Sequence, residues 1–255
     1  PGRRGTRYHR PVLARALHPW RVSFPEAVAI QERLRTRVRI EPFDRTPRLV
    51  AGTDVAFSAT THRMYAAVVV LELPSLEVVE IARAVRLARF PYIPGLFSFR
   101  ELPPLLAAFR RLRAKPDVIL FDGHGYAHPR RFGLACHAGL LFDCPTLGCA
   151  KSLLIGTHGE LGPRRGAWAP LAADGETIGA AVRTRDGVTP VYVSIGHRMD
   201  LPSTIRLVLE TTGRYRVPEP TRLAHQATTE TRRRMDGRLS APGKKSYPDF
   251  VKEDG

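Results

Sequence analysis

Three segments with the composition of β-strands follow one another: RLVAGTDVAF (residues 48–57), MYAAVVVLEL (residues 64–73) and LEVVEIARAV (residues 76–85). All three are rich in β-branched and other apolar residues, and a turn as short as Pro74-Ser75 separates the second from the third. Antiparallel neighbours can be joined by such short turns, whereas parallel strands need a long crossover. The three segments therefore predict an antiparallel meander.

Beyond the meander, helical and extended patterns alternate along the chain. Residues 102–114 carry apolar side chains at helical spacing, and an apolar run at residues 117–122 follows. Further helices are predicted at residues 24–38, 131–141 and 203–212, and further strands at residues 145–150, 167–171, 177–183 and 191–195. A meander followed by this alternation predicts an α/β protein with one mixed sheet and helices on both of its faces.

Both ends of the chain are basic and lack a clear apolar stripe. We therefore predict a basic flexible N-terminal extension at residues 1–23 and a flexible basic C-terminal tail at residues 228–255. Residues 24–227 are predicted to form a single domain, because a chain of 255 residues is long enough for one sizeable core.

The charge balance favours a polyanionic partner. Forty Lys and Arg residues against 24 Asp and Glu residues leave a net charge of +16, and nucleic acid is the commonest partner of such a chain. A GC-rich coding sequence would also enrich arginine, which greatly outnumbers lysine here, so the charge alone leaves a non-specific origin open.

Two classes of protein are disfavoured by composition. No apolar run approaches the roughly 18 to 20 residues that span a bilayer, so we expect no membrane contact and a cytoplasmic location. Three cysteines, an odd number without a CxxC pair, argue against both a disulfide framework and a zinc site.

Three acidic residues fall at chemically informative places. Asp54 lies inside the first predicted strand, Asp122 ends the strand at residues 117–122, and Glu101 opens the helix between them. Neighbouring strands and one helix start can bring three carboxylates together, and such a cluster repels itself without a cation such as Mg²⁺. Each acid also has a simpler explanation: Asp54 could pair with an arginine, and Glu101 could complement a helix dipole.

A glycine-rich turn follows the strand that ends at Asp122. It reads Asp122-Gly123-His124-Gly125, and residues 126–131 add a second histidine and two arginines. Glycine has no Cβ, so a large anionic substrate can approach the backbone closely. A strand-end acid beside histidines and arginines is typical of metal-assisted chemistry on phosphate. The alternative is an ordinary turn that carries a surface acid.

Seven separated motifs resemble the endonuclease V family, whose members nick nucleic acid near deaminated adenine (inosine). They are AGTDV (residues 51–55), PYIPGLFSFRE (91–101), DGHG (122–125), HPRR (128–131), GCAKS (148–152), GHR (196–198) and YRVPEPTR (215–222). The resemblance covers about residues 48–221, and it implies a ribonuclease-H-like fold.

The resemblance also implies roles for individual residues. Asp54, Glu101 and Asp122 would be catalytic metal ligands. His128 would contact the phosphate or help to order the attacking water, and Lys151 would steady the scissile phosphate. His197 would belong to the catalytic set, either as a metal contact or as a support of the site.

A second group of residues would read the lesion. Pro91, Tyr92, Ile93 and Pro94 would form a wedge that enters the duplex, because flanking prolines stiffen the loop and an aromatic ring can replace a base in the stack. The flipped base would sit in a pocket of Gly95, Leu96, Phe97 and Gly123, and Arg130 and Arg131 would bind nucleic-acid phosphates. The alternative for the wedge segment is a structural loop with a packed tyrosine.

The activity implied by the resemblance is that of a deoxyribonuclease V-type phosphodiester hydrolase in DNA repair. Such a Mg²⁺-dependent endonuclease, with Mn²⁺ as an alternative metal, would act as a monomer on inosine-containing DNA. It would cut the second phosphodiester bond 3′ to inosine and leave 3′-hydroxyl and 5′-phosphate ends. An inosine-specific endoribonuclease, another ribonuclease-H-like nuclease and a non-catalytic nucleic-acid binder are the alternatives.

Overall fold

A mixed β-sheet lies at the centre of the computed structural model, which describes residues 14–239. Its strands are β1 (Leu49–Ser58), β2 (Arg63–Glu72), β3 (Glu77–Leu87), β4 (Val118–Phe121), β5 (Thr146–Ala150), β6 (Thr157–His158), β7 (Trp168–Ala173), β8 (Glu176–Val182) and β9 (Val191–His197). The helices are α1 (Phe24–Arg35), α2 (Phe97–Phe109), α3 (Leu134–Phe142), α4 (Leu201–Glu210) and α5 (Glu219–Leu239). The strand order is β3-β2-β1-β4-β5-β9-β8-β7-β6.

The pairing of the strands confirms the predicted meander and the mixed sheet. β1 pairs antiparallel with β2, and β2 pairs antiparallel with β3. β4 then pairs parallel with both β1 and β5, and β9 returns antiparallel to β5. The meander therefore forms one flank of the sheet, and β1 lies directly beside β4.

Strand β2 shows why helices cover both faces. Successive side chains of a strand point to opposite faces, so a continuous apolar run serves two cores. Ala66, Val68 and Val70 pack with residues of α2 and α3, whereas Val69 and Leu71 pack with residues of α4 and α5. The predicted α/β class with helices on both faces is confirmed.

Helix α2 begins earlier than the sequence predicted. It starts at Phe97 rather than at residue 102, and Pro103 and Pro104 lie inside it. The buried side chains of Phe99 and Leu102 extend the apolar stripe of the helix toward its N-terminus. Glu101 consequently lies in the second turn of the helix, so the prediction that it opens the helix is wrong.

Both predicted flexible ends include residues that the structure places in packed segments. The predicted tail is wrong for residues 228–239, which belong to α5. This helix buries a stripe of small and threonine side chains, which we did not recognise as an apolar face: Thr221, Ala224, Ala227, Thr228 and Thr231.

At the other end, the predicted extension is wrong for residues 14–23. Leu17 and Trp20 pack against buried apolar clusters, and the Arg15 amide donates to the Leu141 carbonyl at 2.7 Å. Residues 1–13 and 240–255, the rest of both predicted ends, lie outside the described part of the chain. Among residues 14–239, no helix is long and apolar enough to cross a bilayer.

Helix α5 rests directly on β1 at Gly52. A Cβ atom at Gly52 would stand 2.0 Å from the Pro220 carbonyl carbon and 2.4 Å from the Thr221 nitrogen, which is closer than atoms can approach. The position of the first turn of α5 therefore requires a residue without a side chain at position 52.

We expect Gly52→Ala to lower the free energy of unfolding by about 3 kcal/mol, because the added methyl group would push α5 away from the sheet. Urea denaturation measures this loss. Gly159→Ala is the control, since nothing lies within 4 Å of a Cβ at that position. Equal stability of the two variants would show that α5 is not held this closely.

Candidate active site

Two acidic residues meet where the end of β4 lies beside the middle of β1. Thr53 pairs with Phe121 in the parallel register of these strands, so the next residues, Asp54 and Asp122, are neighbours across the sheet. Adjacent strands lie about 4.8 Å apart, and paired positions point to the same face. The sheet topology alone therefore brings two carboxylates together.

Helix α5 adds two polar groups to Asp54. The Thr228 hydroxyl donates to Oδ2 of Asp54, and His225 Nδ1 lies 3.5 Å from Oδ1. The His225 side chain is more than half exposed, whereas that of Asp54 is mostly buried. Both oxygens of Asp54 are thus oriented by the C-terminal helix.

Lys151 brings a positive charge to the other carboxylate. It directly follows β5, the strand next to β4, and its ammonium group forms a salt bridge with Oδ2 of Asp122. The Arg216 guanidinium donates to the Lys151 carbonyl at 2.5 Å and so helps to fix the backbone there. A cation therefore stands beside Asp122 where a substrate phosphate would have to approach.

Glu101 is a third carboxyl group that interacts electrostatically with Asp54 and Asp122. Burial raises the pKa of its carboxyl to about 8, and the nearby charges of Asp54 and Asp122 add to this effect. Burial likewise raises the pKa of Asp54, and the charge of Asp122 raises it further. Asp54 and Asp122 therefore lie close enough to Glu101 for their charges to disfavour its ionised form.

This donor set fits a hard divalent cation. Carboxylate oxygens are the preferred ligands of Mg²⁺, and a cation would offset the burial and the weaker charge repulsion that raise the pKa values of Glu101 and Asp54. Among residues 14–239, however, no three His, Cys, Asp or Glu side chains are arranged closely enough to form a ready ligand set.

The two glycines of the turn after β4 differ in whether packing within the protein requires them. A Cβ at Gly125 would lie 2.0 Å from the Ile195 carbonyl oxygen, so packing of the turn on β9 excludes any side chain. At Gly123 the nearest atom to a Cβ is Cδ2 of Leu134 at 3.5 Å, an ordinary contact. Packing within the protein does not require glycine at position 123.

His128 and the two arginines are engaged inside the protein. His128 is buried, and Nδ1 accepts from the Arg130 amide at 3.1 Å while Nε2 donates to the Gly95 carbonyl at 2.9 Å. Burial lowers the pKa of His128 to about 4. The predicted contact of His128 with phosphate or water would require one of these hydrogen bonds to break.

The arginines predicted to bind phosphate also have protein partners. Arg130 donates to the Gly95 carbonyl at 2.9 Å, and Arg131 forms salt bridges with Glu176 at 2.8 Å and Asp174 at 3.0 Å. The side chain of Arg131 is only 12% exposed. Arg131 therefore ties the loop after β4 to the hairpin of β7 and β8.

The predicted wedge loop presents its tyrosine to solvent. Tyr92 is 68% exposed, and its ring centroid lies 4.7 Å from that of Phe97. Gly95 and Leu96 are buried, and Gly95 has a φ of 77°, in the left-handed region that glycine favours. The alternative of a tyrosine packed into a structural loop is therefore wrong.

The structure does not bring His197 to the carboxylates. It pairs with Thr146 at the start of β5, roughly 16 Å along the strand from Lys151. Nδ1 of His197 accepts from the Arg39 amide at 3.2 Å, and Nε2 lies 3.7 Å from Asp143. The prediction that His197 belongs to the catalytic set is wrong in this geometry, because the sequence does not reveal which end of β9 faces the acids.

The comparisons with known proteins agree with this arrangement. Residues 32–226, which include all three carboxylates and Lys151, match the family described as endonuclease V. The chain belongs to the endonuclease V family. It is 49% identical over 229 residues to endonuclease V of Myxococcus xanthus, a match that covers 87% of this chain and 96% of that protein. A Roseiflexus endonuclease V is 53% identical over 206 residues, 81% of this chain and 92% of that protein.

Solved endonuclease V structures share the fold. The Streptomyces avermitilis endonuclease V has a TM-score of 0.82 at 42% identity, over 89% of this chain and 99% of that one. The catalytic domain of human endonuclease V has a TM-score of 0.78 at 35% identity, over 84% and 97%. The predicted ribonuclease-H-like fold is confirmed by these endonuclease V structures.

A further endonuclease V structure contains nucleic acid. The Ciona intestinalis protein, 27% identical with a TM-score of 0.74 over 83% of this chain and 98% of that one, is in complex with a 24mer DNA containing an inosine followed by a ribo-adenosine.

Three residues at the endonuclease V site or its supporting loop were not predicted from the sequence: His225, Thr228 and Gln31. His225 and Thr228 lie in the part of α5 that was read as polar chain or tail. The helical spacing of Thr221, Ala224, Thr228 and Thr231 was a signal that could have revealed them. Gln31 carried no such signal, since a single amide on an amphipathic helix has no distinctive pattern.

Proposed function

We propose that the protein is an inosine-specific endonuclease of DNA repair. The observation that carries this proposal is that Asp54 and Asp122 are neighbours on two interior strands and that both charges act on the buried Glu101 carboxyl, in a member of the endonuclease V family. The inosine-containing DNA held by the Ciona relative supports the substrate class.

Mg²⁺ is the metal that we propose, with Mn²⁺ as the alternative, held by Asp54, Glu101 and Asp122. When bound, it would activate water and neutralise charge on the phosphate. Thr228 and His225 would orient Asp54 for this role. The Lys151 ammonium, which now pairs with Asp122, would bind a phosphate oxygen of the substrate instead. The Arg216 contact holds Lys151 in reach.

We propose cleavage at the second phosphodiester bond 3′ to inosine, with 3′-hydroxyl and 5′-phosphate products. Tyr92 would take the place of the flipped base in the stack, and the base would enter the pocket of Gly95, Leu96, Phe97 and Gly123. Support for this pocket comes from Gly123, because packing within the protein would allow a side chain at this position. A Cβ there would occupy space that a base could use.

Cleavage of inosine-containing RNA is the second candidate activity. The DNA in the Ciona structure carries a ribo-adenosine after the inosine, so a ribonucleotide is accommodated next to the lesion in that protein. A side-by-side cleavage assay on inosine DNA and inosine RNA decides between the two substrates. A monomeric state and a cytoplasmic location stay predictions of the sequence.

The proposed function is tested with Tyr92→Ala on inosine-containing and undamaged strands in the presence of Mg²⁺. The wild-type protein is expected to cut only the inosine-containing strand. The variant should lose about tenfold or more of its activity on duplex substrate, because base unstacking costs a few kcal/mol and the ring offsets part of that cost. Its loss on single-stranded substrate should be smaller, since no stack has to be opened.

Trp168→Ala is the matched control, because Trp168 is also an exposed aromatic residue but lies on β7. Wild-type cleavage of undamaged strands at the same rate would refute the proposed function. Equal losses for Tyr92→Ala on single-stranded and duplex substrate would refute the wedge.

A further inference from the structure

Three side chains converge on the carbonyl oxygen of Gly95. Nε2 of Gln31 donates to it at 3.0 Å, Nε2 of His128 at 2.9 Å and a terminal guanidinium nitrogen of Arg130 at 2.9 Å. A carbonyl oxygen offers two lone pairs, so three donors more than saturate it, and two of them share one lone pair. Gly95 closes the segment that carries Tyr92, and its position is therefore fixed from outside the loop.

Gln31 is the centre of this arrangement. Its side chain is 1% exposed, and Nε2 also donates to the Phe132 carbonyl at 3.1 Å while Oε1 accepts from Nε of Arg130 at 2.6 Å. Exchanging the amide oxygen and nitrogen would point an oxygen at two carbonyls, so only this orientation satisfies all partners. One buried amide thus joins α1, the loop that carries Tyr92 and the loop after β4.

The other end of the tyrosine loop is held independently. The Arg100 guanidinium donates to the Phe90 carbonyl at 2.7 Å. Residues 91–94 therefore span two fixed carbonyls, and the exposed Tyr92 lies between them. The loop therefore has an exposed tip between two anchored ends. This geometry is that of an element already positioned for insertion, and not that of a mobile lid.

We propose that Gln31 is a positioning residue that fixes the Tyr92 loop relative to the Asp122 turn, and thereby sets the selectivity of cleavage for inosine. This inference rests on the proposed function. Phe132 lies ten residues after Asp122, on the segment that follows the turn. The Gln31 amide therefore fixes the Tyr92 loop relative to the segment that carries Asp122. Geometric errors of about 1 Å in such an arrangement can cost about 100-fold in rate.

A purely structural role for Gln31 predicts a different outcome. Its loss would leave buried polar groups unpaired and lower the stability of the whole domain. Leu34→Ala serves as the matched control, because Leu34 lies on the same helix and, like Gln31, is only 1% exposed. Its truncation lowers stability without removing a hydrogen bond to the tyrosine loop.

The test compares Gln31→Leu with Leu34→Ala by two measurements. Amide hydrogen exchange of residues 92–97 reports on the loop, and the ratio of cleavage rates on inosine-containing and undamaged duplex reports on selectivity. Gln31→Leu is expected to speed loop exchange about tenfold and to lower the selectivity ratio about tenfold. Leu34→Ala should lower the melting temperature with neither effect. If Gln31→Leu does not fold, Gln31→Asn, which keeps an amide but shortens its reach, takes its place.

Unchanged loop exchange in the Gln31 variant, or equal changes in the Leu34 variant, would overturn the proposal. Faster loop exchange with unchanged selectivity would also overturn it, since the loop's position would then not govern recognition. Failure of the wild-type protein to prefer inosine would instead refute the proposed function. The exchange measurement would still decide whether Gln31 fixes the loop.

Discussion

Replacing Asp122 with asparagine is expected to lower Mg²⁺-dependent cleavage of an inosine-containing strand by about 10³-fold or more. Asparagine has nearly the same shape, so the turn after β4 should keep its fold. The variant loses a negative charge that would bind the cation and that now pairs with Lys151. Lys151, without a carboxylate partner, would also no longer be held at the same place.

Cleavage rates at saturating enzyme measure this loss, and Asp186→Asn is the control. Asp186 is an exposed acid in the loop between β8 and β9, so its replacement makes the same change in net charge far from the cluster. We expect the melting temperature of Asp122→Asn to be no lower than that of the wild type, because the Asp54 and Glu101 carboxyls lose a repelling neighbour. Retention of more than a tenth of the activity would rule out Asp122 as an essential ligand.

The metal-free protein should lose stability between about pH 4.5 and pH 8 because of Glu101. Burial raises the pKa of this carboxyl from 4.5 to about 8. In this pH range the folded chain keeps the proton and the unfolded chain releases it, so unfolding becomes easier as pH rises. The effect is about 1.4 kcal/mol per pH unit, or about 5 kcal/mol in total once pH exceeds 8.

Glu101→Gln removes this effect, so the variant should be more stable than the wild type at pH 8 and nearly equal to it at pH 4.5. Urea unfolding in a chelating buffer from pH 4.5 to pH 9 gives both curves. Their difference isolates Glu101, because the buried histidines contribute equally to both proteins. Added Mg²⁺ should narrow the gap at pH 8, since a cation favours the ionised carboxyl. Parallel curves would show that Glu101 titrates normally.

Much of the site could be predicted because local patterns determined it. The apolar runs fixed which segments become β1 and β4, and their parallel pairing follows from the helix between them. Asp54 and Asp122 then meet without any further information. The strand-end position of Lys151 follows in the same way from β5.

The contacts that escaped prediction join residues far apart in sequence. His225 and Thr228 reach Asp54 only because α5 lies on β1, and that close packing requires a glycine at position 52 as well as the buried stripe of small side chains on α5. Gln31 binds Gly95 across 64 positions of sequence, and no pattern in either segment predicts this contact. His197 was misplaced because a motif gives no information on which end of a strand faces the acids.

The hydroxyl of Thr228 on Asp54 has a practical consequence for any shortened form of this protein. The sequence placed the end of the domain at residue 227, and the match to the family ends at residue 226. A chain cut at that boundary would keep every predicted carboxylate, yet it would lose this hydroxyl and more than half of α5. Such a fragment would fail as a catalyst for reasons of architecture, and its inactivity would say nothing about the chemistry of the intact protein.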